Sequence, residues 1–309
     1  MSRILITGAG GLVGRALLGR LDGHDLLATD LRHDGLPNGI PFEFMDVSGD
    51  DPDRVIGSFQ PDAIIHLASI VTPPPGMGRE AAHAVDVIGT RNVLEAAIKH
   101  GVRRLVVTSS GAAYGYHQDN PIPLRESDAC RGNPEFPYAD HKRQVEEMLA
   151  EARKAHPQLE QVVLRVGTVL GEGAENQITA LFRKKRLLAI RGADSPFVFI
   201  WTEDLAQILA CAATYGPPGV FNVAGDGAMS IDDLAEALGK SVLRLPAWAL
   251  KTVLAIAQPL SLTQYGPEQV RFLQYRPVLS NEALKLEFGY TPEKTSAEVF
   301  ALWRRWAGL

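Results

Sequence analysis

The chain has 309 residues, 46% of them hydrophobic and 22% charged, which is enough for one large domain or a domain with a lobe. Its 31 Lys and Arg stand against 36 Asp and Glu, a formal charge of -5, so no global field draws nucleic acid or anionic lipid to it. Cys130 and Cys211 make no disulfide framework, and the longest apolar stretch, 247–257, is interrupted by Lys251 and falls far below a membrane span, so the expectation is a soluble, cytoplasmic protein with no structural metal and no membrane contact.

In the first half, short apolar runs alternate with longer amphipathic ones. Strands are predicted at 3–7, 26–30, 42–46, 62–68, 104–109 and 161–166, and helices at 12–21, 53–59, 79–99 and 138–156. Ile4-Leu5-Ile6, Ala63-Ile64-Ile65 and Leu105-Val106-Val107 are continuous apolar runs, which is how strands buried on both faces of a parallel sheet read. Strand–helix alternation of this kind predicts a doubly wound α/β sheet. The second half is less regular. Helices are predicted at 177–186, 204–213, 231–238 behind a Ser230 cap, 247–257, 267–274, 282–288 and 297–306, with strands at 197–201 and 220–223. Pro73-Pro74-Pro75-Gly76 and the segment 115–137 are the conspicuous irregular stretches, and a loop as long as the second, inside a compact domain, is usually functional or disordered.

Between the first strand and the first helix lies Gly8-Ala9-Gly10-Gly11-Leu12-Val13-Gly14. Gly8 permits the tight turn, Gly11 lets the main chain approach a pyrophosphate, and Gly14 lets the helix pack on the sheet. The N–H groups of Leu12 and Val13 open the helix toward such an anion. Asp30 ends the second strand, 19 residues beyond Gly11. An acid there accepts ribose hydroxyls and repels a 2′-phosphate, so NAD is expected over NADP. Leu31 follows, and Arg32, two residues on, partly offsets the acid.

Tyr138 and Lys142 are four apart at the start of a helix, on the face that continues through Val145, Leu149 and Ala152. They therefore lie on the line that packs inward, where an unpaired lysine is uncommon. A phenol titrates near 10, and a nearby ammonium brings it down to where it serves as a base. The fifth strand ends in the hydroxyl-rich Thr108-Ser109-Ser110, and in open α/β sheets ligands sit beyond those strand ends. Ser110 is placed to hydrogen-bond the oxygen that Tyr138 protonates.

With these pieces the chain resembles an extended short-chain dehydrogenase/reductase of the NAD-dependent epimerase/dehydratase family. The matching segments, in the family's order and over about the first two-thirds of the chain, are Gly8-x-x-Gly11-x-x-Gly14, Asp30, Asp46-Val47, His66-Leu67-Ala68, Gly89-Thr90-Arg91-Asn92-Val93-Leu94, Ser110-x-x-x-Tyr114-Gly115, Tyr138-x-x-x-Lys142, Leu164-Arg165-Val166-Gly167 and Asp204-Leu205-Ala206. The resemblance implies a Rossmann-type domain over 1–166, with a return segment at about 197–225, and a smaller C-terminal α/β substrate lobe from 167–196 and 226–309. It implies Tyr138 as general acid/base, Lys142 as the group that lowers its pKa and holds the nicotinamide ribose, and Ser110 as the residue orienting the substrate oxygen. Asp46 and Val47 would contact the adenine, Leu67 and Ala68 would lie along the cofactor, Val166 beside the nicotinamide, and Ser69 and Thr108 would also bind the cofactor. Many members dimerise through the helices that here span 79–99 and 138–156, so a homodimer is expected.

The chain also departs from the family. Asp86 and Val166 stand where members usually carry Asn and Pro. Where many nucleotide-sugar members place a diphosphate-gripping arginine, this chain has Phe197, and a buried diphosphate without cationic or N–H partners is costly. The run Arg183-Lys184-Lys185-Arg186 reads as a solvated helix end rather than a replacement. The substrate-facing set is mostly apolar: Ile70, Val71, Pro73, Gly111, Ala112, Phe136, Asn176 and Phe182. The eight histidines show no metal-ligand pairing. His66 reads as structural, His141 as helix filler, and Trp303 and Trp306 as packing for the last helix. These observations favour an NAD-dependent oxidoreductase acting on a small secondary alcohol or ketone. A nucleotide-sugar epimerase or dehydratase with tightly held NAD is the alternative, and a non-catalytic NAD-binding sensor is a third reading.

Overall fold

The computed structural model describes residues 1–74, 76–260, 263 and 266–309; Pro75 of the proline tract lies outside them. In chain order the first half contains β1 (Arg3–Thr7), α1 (Leu12–Leu18), β2 (Asp25–Asp30), β3 (Phe42–Phe44), α2 (Asp51–Phe59), β4 (Ala63–His66), α3 (Arg79–His83), α4 (Gly89–Lys99), β5 (Arg104–Ser110), α5 (Pro137–Ala155) and β6 (Glu160–Val166). The second half contains β7 (Thr168–Leu170), α6 (Gln177–Phe182), β8 (Arg186–Ile190), β9 (Phe199–Trp201), α7 (Thr202–Thr214), β10 (Gly219–Val223), α8 (Ile231–Leu238), β11 (Ser241–Leu245), α9 (Ala247–Ala257), α10 (Gln269–Gln274), α11 (Glu282–Leu286) and α12 (Ser296–Trp306).

Seven strands form one parallel sheet in the order β10-β6-β5-β4-β1-β2-β3. The apolar runs explain it, because successive side chains of β1 enter different cores. Ile4 and Ile6 pack with α1 and α7 on one face, and Leu5 packs with α2, α4 and α5 on the other. The chain starts mid-sheet, winds outward to β3, then returns to β4 on the other side of β1. The strand order therefore reverses between β1 and β4, which opens a crevice at their C-terminal ends.

Several expected elements differ. Helix 79–99 is interrupted by a wide π-helical turn at Ala84–Ile88, where the extra residue carries Asp86 toward the loop after β4. Helix 177–186 stops at Phe182. The following Leu187-Leu188-Ala189-Ile190 belongs to β8, which pairs with β11, a strand that local periodicity does not reveal. The basic run 183–186 thus occupies the turn into a strand rather than a helix end. The short β7 pairs with β9 in a third sheet. Ser230 does cap α8. Beneath these small sheets, Phe182, Phe197, Phe199, Phe300 and Trp303 form an aromatic cluster. Phe182 is therefore core and not a substrate contact. Among the described residues no helix is long and apolar enough to cross a membrane, and no three His, Cys, Asp or Glu side chains gather as a metal site.

Candidate active site

A cavity of about 790 Å³ runs from the glycine turn, past the ends of β4 and β5 and the start of α5, to α6, α9 and α10. Its wall includes Gly8, Gly11, Leu12, Val13, Gly14, Leu67, Ser69, Thr108, Ser110, Tyr138, Lys142 and Val166 from the expected cofactor and catalytic set. Val71, Pro73, Gly111, Ala112, Phe136 and Asn176 from the substrate set also line it.

The glycine turn owes its shape to contacts that leave no room for a side chain. At Gly8, φ is +66° and a Cβ would stand 2.7 Å from the Ala68 nitrogen. At Gly14 it would stand 2.5 Å from the Ala9 oxygen. Gly11 is different. A Cβ there would press only on the Gly8 oxygen, at 3.3 Å, so internal packing demands less of this position. The residue lines the cavity and precedes α1 without offering the helix a side-chain cap. The first-turn N–H groups thus meet the cavity without such a cap, and a Cβ at Gly11 would intrude on a ligand seated against them. Asp30 closes the turn from the side, one carboxylate oxygen accepting the Gly10 N–H at 3.0 Å and the other the Leu31 N–H at 2.7 Å. This donor set and its adjoining acid fit a pyrophosphate and a ribose. Leu31 and Arg32 beside it are exposed. The structure does not bring Asp30, Leu31, Arg32, Asp46, Val47 or Ala68 into the cavity wall. Asp46 accepts the Ser48 N–H and hydroxyl, and the Val47 side chain is packed against Gly89 in the core. Ala68 instead abuts Gly8, its N–H donating to the Thr7 hydroxyl.

Tyr138 and Lys142 come from the first turns of α5. Pro137 starts that helix, at a position where the missing N–H is harmless. Lys142 is buried, 5% exposed, and its Nζ donates to the Thr108 carbonyl at 3.0 Å. The ammonium lies 5.6 Å from the centre of the Tyr138 ring. Ser110 ends β5 and its hydroxyl accepts the Ala112 N–H at 3.2 Å, capping the turn Gly111–Tyr114. That contact leaves the hydroxyl hydrogen available to the cavity.

Two features were not legible as site elements. His141, on α5 between Tyr138 and Lys142, pairs through Nδ1 with Asp86 at 3.0 Å, and both side chains are 1% exposed. The other Asp86 oxygen accepts the Ser69 hydroxyl at 2.8 Å and the Ile70 N–H at 2.7 Å. The pair ties the Tyr–Lys helix to the loop that walls the cavity. The available signal was Asp86 in place of the family's Asn. His66 is structural, as its pattern suggests. It sits between the Thr7 and Thr90 hydroxyls, and burial drops its pKa to about 3. The second feature is Arg276. Its guanidinium lies 3.8 Å from the centre of the Phe197 ring and lines the cavity. It donates to the Ser195 and Phe272 carbonyls, with no carboxylate in ion-pair contact among the described residues. Burial pulls its pKa down to about 9. The cation missing from position 197 in the sequence is thus supplied by α10's C-terminal neighbour in space.

The enzyme WbmG of Bordetella bronchiseptica, solved with NAD and UDP, superposes with a TM-score of 0.75 at 21% identity, covering 99% of this chain and 95% of that one. The UDP-glucose 4-epimerase of Thermus thermophilus, solved with NAD, superposes with a TM-score of 0.74 at 22% identity over 99% of each chain. At such identities the likeness is one of fold. A UDP-glucose 4-epimerase of Mycolicibacterium smegmatis is 35% identical over 153 residues, 45% of this chain and 48% of that protein. Residues 4–224 match the profile of one family, and that span carries the glycine turn, the parallel sheet and the Ser110, Tyr138 and Lys142 wall; the chain belongs to the NAD dependent epimerase/dehydratase family, as an NAD-dependent enzyme.

Proposed function

We propose that the chain is an oxidoreductase that interconverts a secondary alcohol and its ketone, with Ser110, Tyr138 and Lys142 as its working groups. The observation that carries this reading is their convergence on one cavity wall that continues to the glycine turn. The Gly11–Gly14 N–H groups and Asp30 would hold NAD, and bound nicotinamide supplies the hydride acceptor or donor. The chain's own part is proton handling and orientation. Ser110 directs its hydroxyl hydrogen at the substrate oxygen and fixes it beside Tyr138. Tyr138 takes the alcohol proton in oxidation and returns it in reduction. Lys142, held by the Thr108 carbonyl, places its ammonium beside the Tyr138 ring. A panel of secondary alcohols should yield NADH with the wild type and none with Tyr138→Phe. Unaltered turnover in that variant would overturn the assignment.

Arg276 favours a second reading. An unpaired guanidinium in a mostly apolar cavity suits a phosphate, so a nucleotide-sugar epimerase or dehydratase remains the alternative. With NAD bound, UDP-glucose should then raise the melting temperature, and Arg276→Met should remove the shift; no shift in the wild type excludes this reading. We also propose a homodimer through α4 and α5, whose Ile98, Met148 and Ala152 are only partly buried. A monomer mass in sedimentation equilibrium would refute it.

A further inference from the structure

The cavity has two chemically different ends. One is the main-chain-lined cofactor end. The other is built by the second lobe, where Leu188 of β8, Leu250 and Leu254 of α9 and Leu273 of α10 belong to one packed cluster and all four line the cavity. Ile178 and Leu181 of α6 add to the same wall. The one cation of α9, Lys251, is exposed and lines a separate cleft with His117 and Asp119 instead. The charged group that α10's entry contributes is Glu268, a carboxylate that accepts the Gly266 N–H. A nucleoside diphosphate gains nothing from leucine side chains and is repelled by a carboxylate. A hydrocarbon group gains from every leucine it covers.

We infer that this leucine-lined end is a binding site for the apolar part of the substrate, a hydrocarbon chain or fused hydrocarbon rings attached to the alcohol-bearing carbon. The inference rests on the oxidoreductase reading for which group reacts, and it adds what the rest of the molecule must be. The substrate is then an amphiphile. Its hydroxyl lies against Ser110 and Tyr138, and its body runs toward α9.

The test is binding, so it stands apart from turnover. The full chain is saturated with NAD, which blocks the cofactor end, and titrated with the fluorescent fatty acid cis-parinaric acid. Saturable binding is expected, undiminished by excess UDP. Leu254→Gln should weaken it roughly tenfold, the order of effect expected when a leucine's apolar surface is lost from a contact. The exposed control Leu243→Gln should bind as the wild type does. If Leu254→Gln melts abnormally, Leu273→Phe, which fills the site with apolar volume, takes its place and should likewise weaken binding. No saturable binding under NAD, full displacement by UDP, or unchanged affinity in both leucine variants overturns the inference. An active Tyr138→Phe would sink the oxidoreductase reading while leaving this binding result intact.

Discussion

Asp86→Asn is the most informative single change. The substitution keeps size and one acceptor but removes the charge. In the wild type three donors converge on the carboxylate: the Ser69 hydroxyl, the Ile70 N–H and His141 Nδ1. Charge-assisted hydrogen bonds are roughly twice as strong as neutral ones, so each loses about 1 kcal/mol and the set about 3 kcal/mol. For a chain of this length that corresponds to a fall of about 5 °C in melting temperature. The pH dependence gives a sharper test. Burial pushes the Asp86 carboxyl up, but His141, Lys142, Ile70 and Ser69 together outweigh it and hold its pKa below the ordinary value. A carboxylate with a depressed native pKa stabilises the fold above its unfolded value, near 4, and loses that contribution as pH falls through the native value. Calorimetry should therefore show a constant gap between wild type and variant from about pH 8 to 5, closing below about pH 4. A gap of the same size in strong acid, or none at neutral pH, would refute the claim that the charge holds this pair together.

Two further outcomes follow from contacts elsewhere. Asp30→Ala should lower the ratio of NADP to NAD dissociation constants by about tenfold or more, because it removes the acid beside the expected ribose site and leaves Arg32; an unchanged ratio in calorimetric titration counts against that placement. Arg165 makes a buried bidentate pair with Glu146 and donates to the Tyr114 hydroxyl. Arg165→Met should cost about 3–5 kcal/mol in urea unfolding, and adding Glu146→Leu should recover much of it, since the loss comes from an orphaned buried charge. Equal stability of the single and double variants would show the carboxylate is not stranded.

Legibility in the sequence followed the range of the interactions. The parallel sheet was readable because Ile4-Leu5-Ile6 and its counterparts must be apolar on both faces, a constraint each strand carries by itself. The glycine turn was readable for a similar reason. Gly8 and Gly14 are required by neighbours a few residues away or by the adjoining strand end. The strands β8 and β11 were not, because Leu187-Leu188-Ala189-Ile190 is apolar enough for helix or strand and its partner lies some fifty residues on. Arg165 sat inside a recognisable motif, yet only the fold shows that its work is to neutralise Glu146 under the Tyr114 ring. His141 looked like filler because none of its neighbours on the same helix face, Pro137, Tyr138, Gln144 and Val145, is acidic; Asp86, 55 residues earlier, arrives through the π turn.

Arg276 extends the same reasoning to function. A missing arginine at position 197 argues against a diphosphate only if no other segment reaches that point. The structure places a guanidinium over the Phe197 ring itself, from a residue 79 positions later, tied to the Ser195 carbonyl next door. Charge at that point has therefore moved between segments rather than vanished. The surroundings have changed, however. Phe197 and Phe272 flank the cation, Leu279 lines the same cavity, and the end formed by β8, α9 and α10 is leucine-lined. A single desolvated guanidinium among rings can match one small anionic or strongly polar group, since its own burial already lowers its pKa to about 9 and a partner charge would relieve that cost. Lys142, which also lines the cavity, is engaged by the Thr108 carbonyl beside Tyr138. One guanidinium set among rings and leucines therefore supports the proposed substrate, with one polar anchor and an apolar body, over one with a diphosphate.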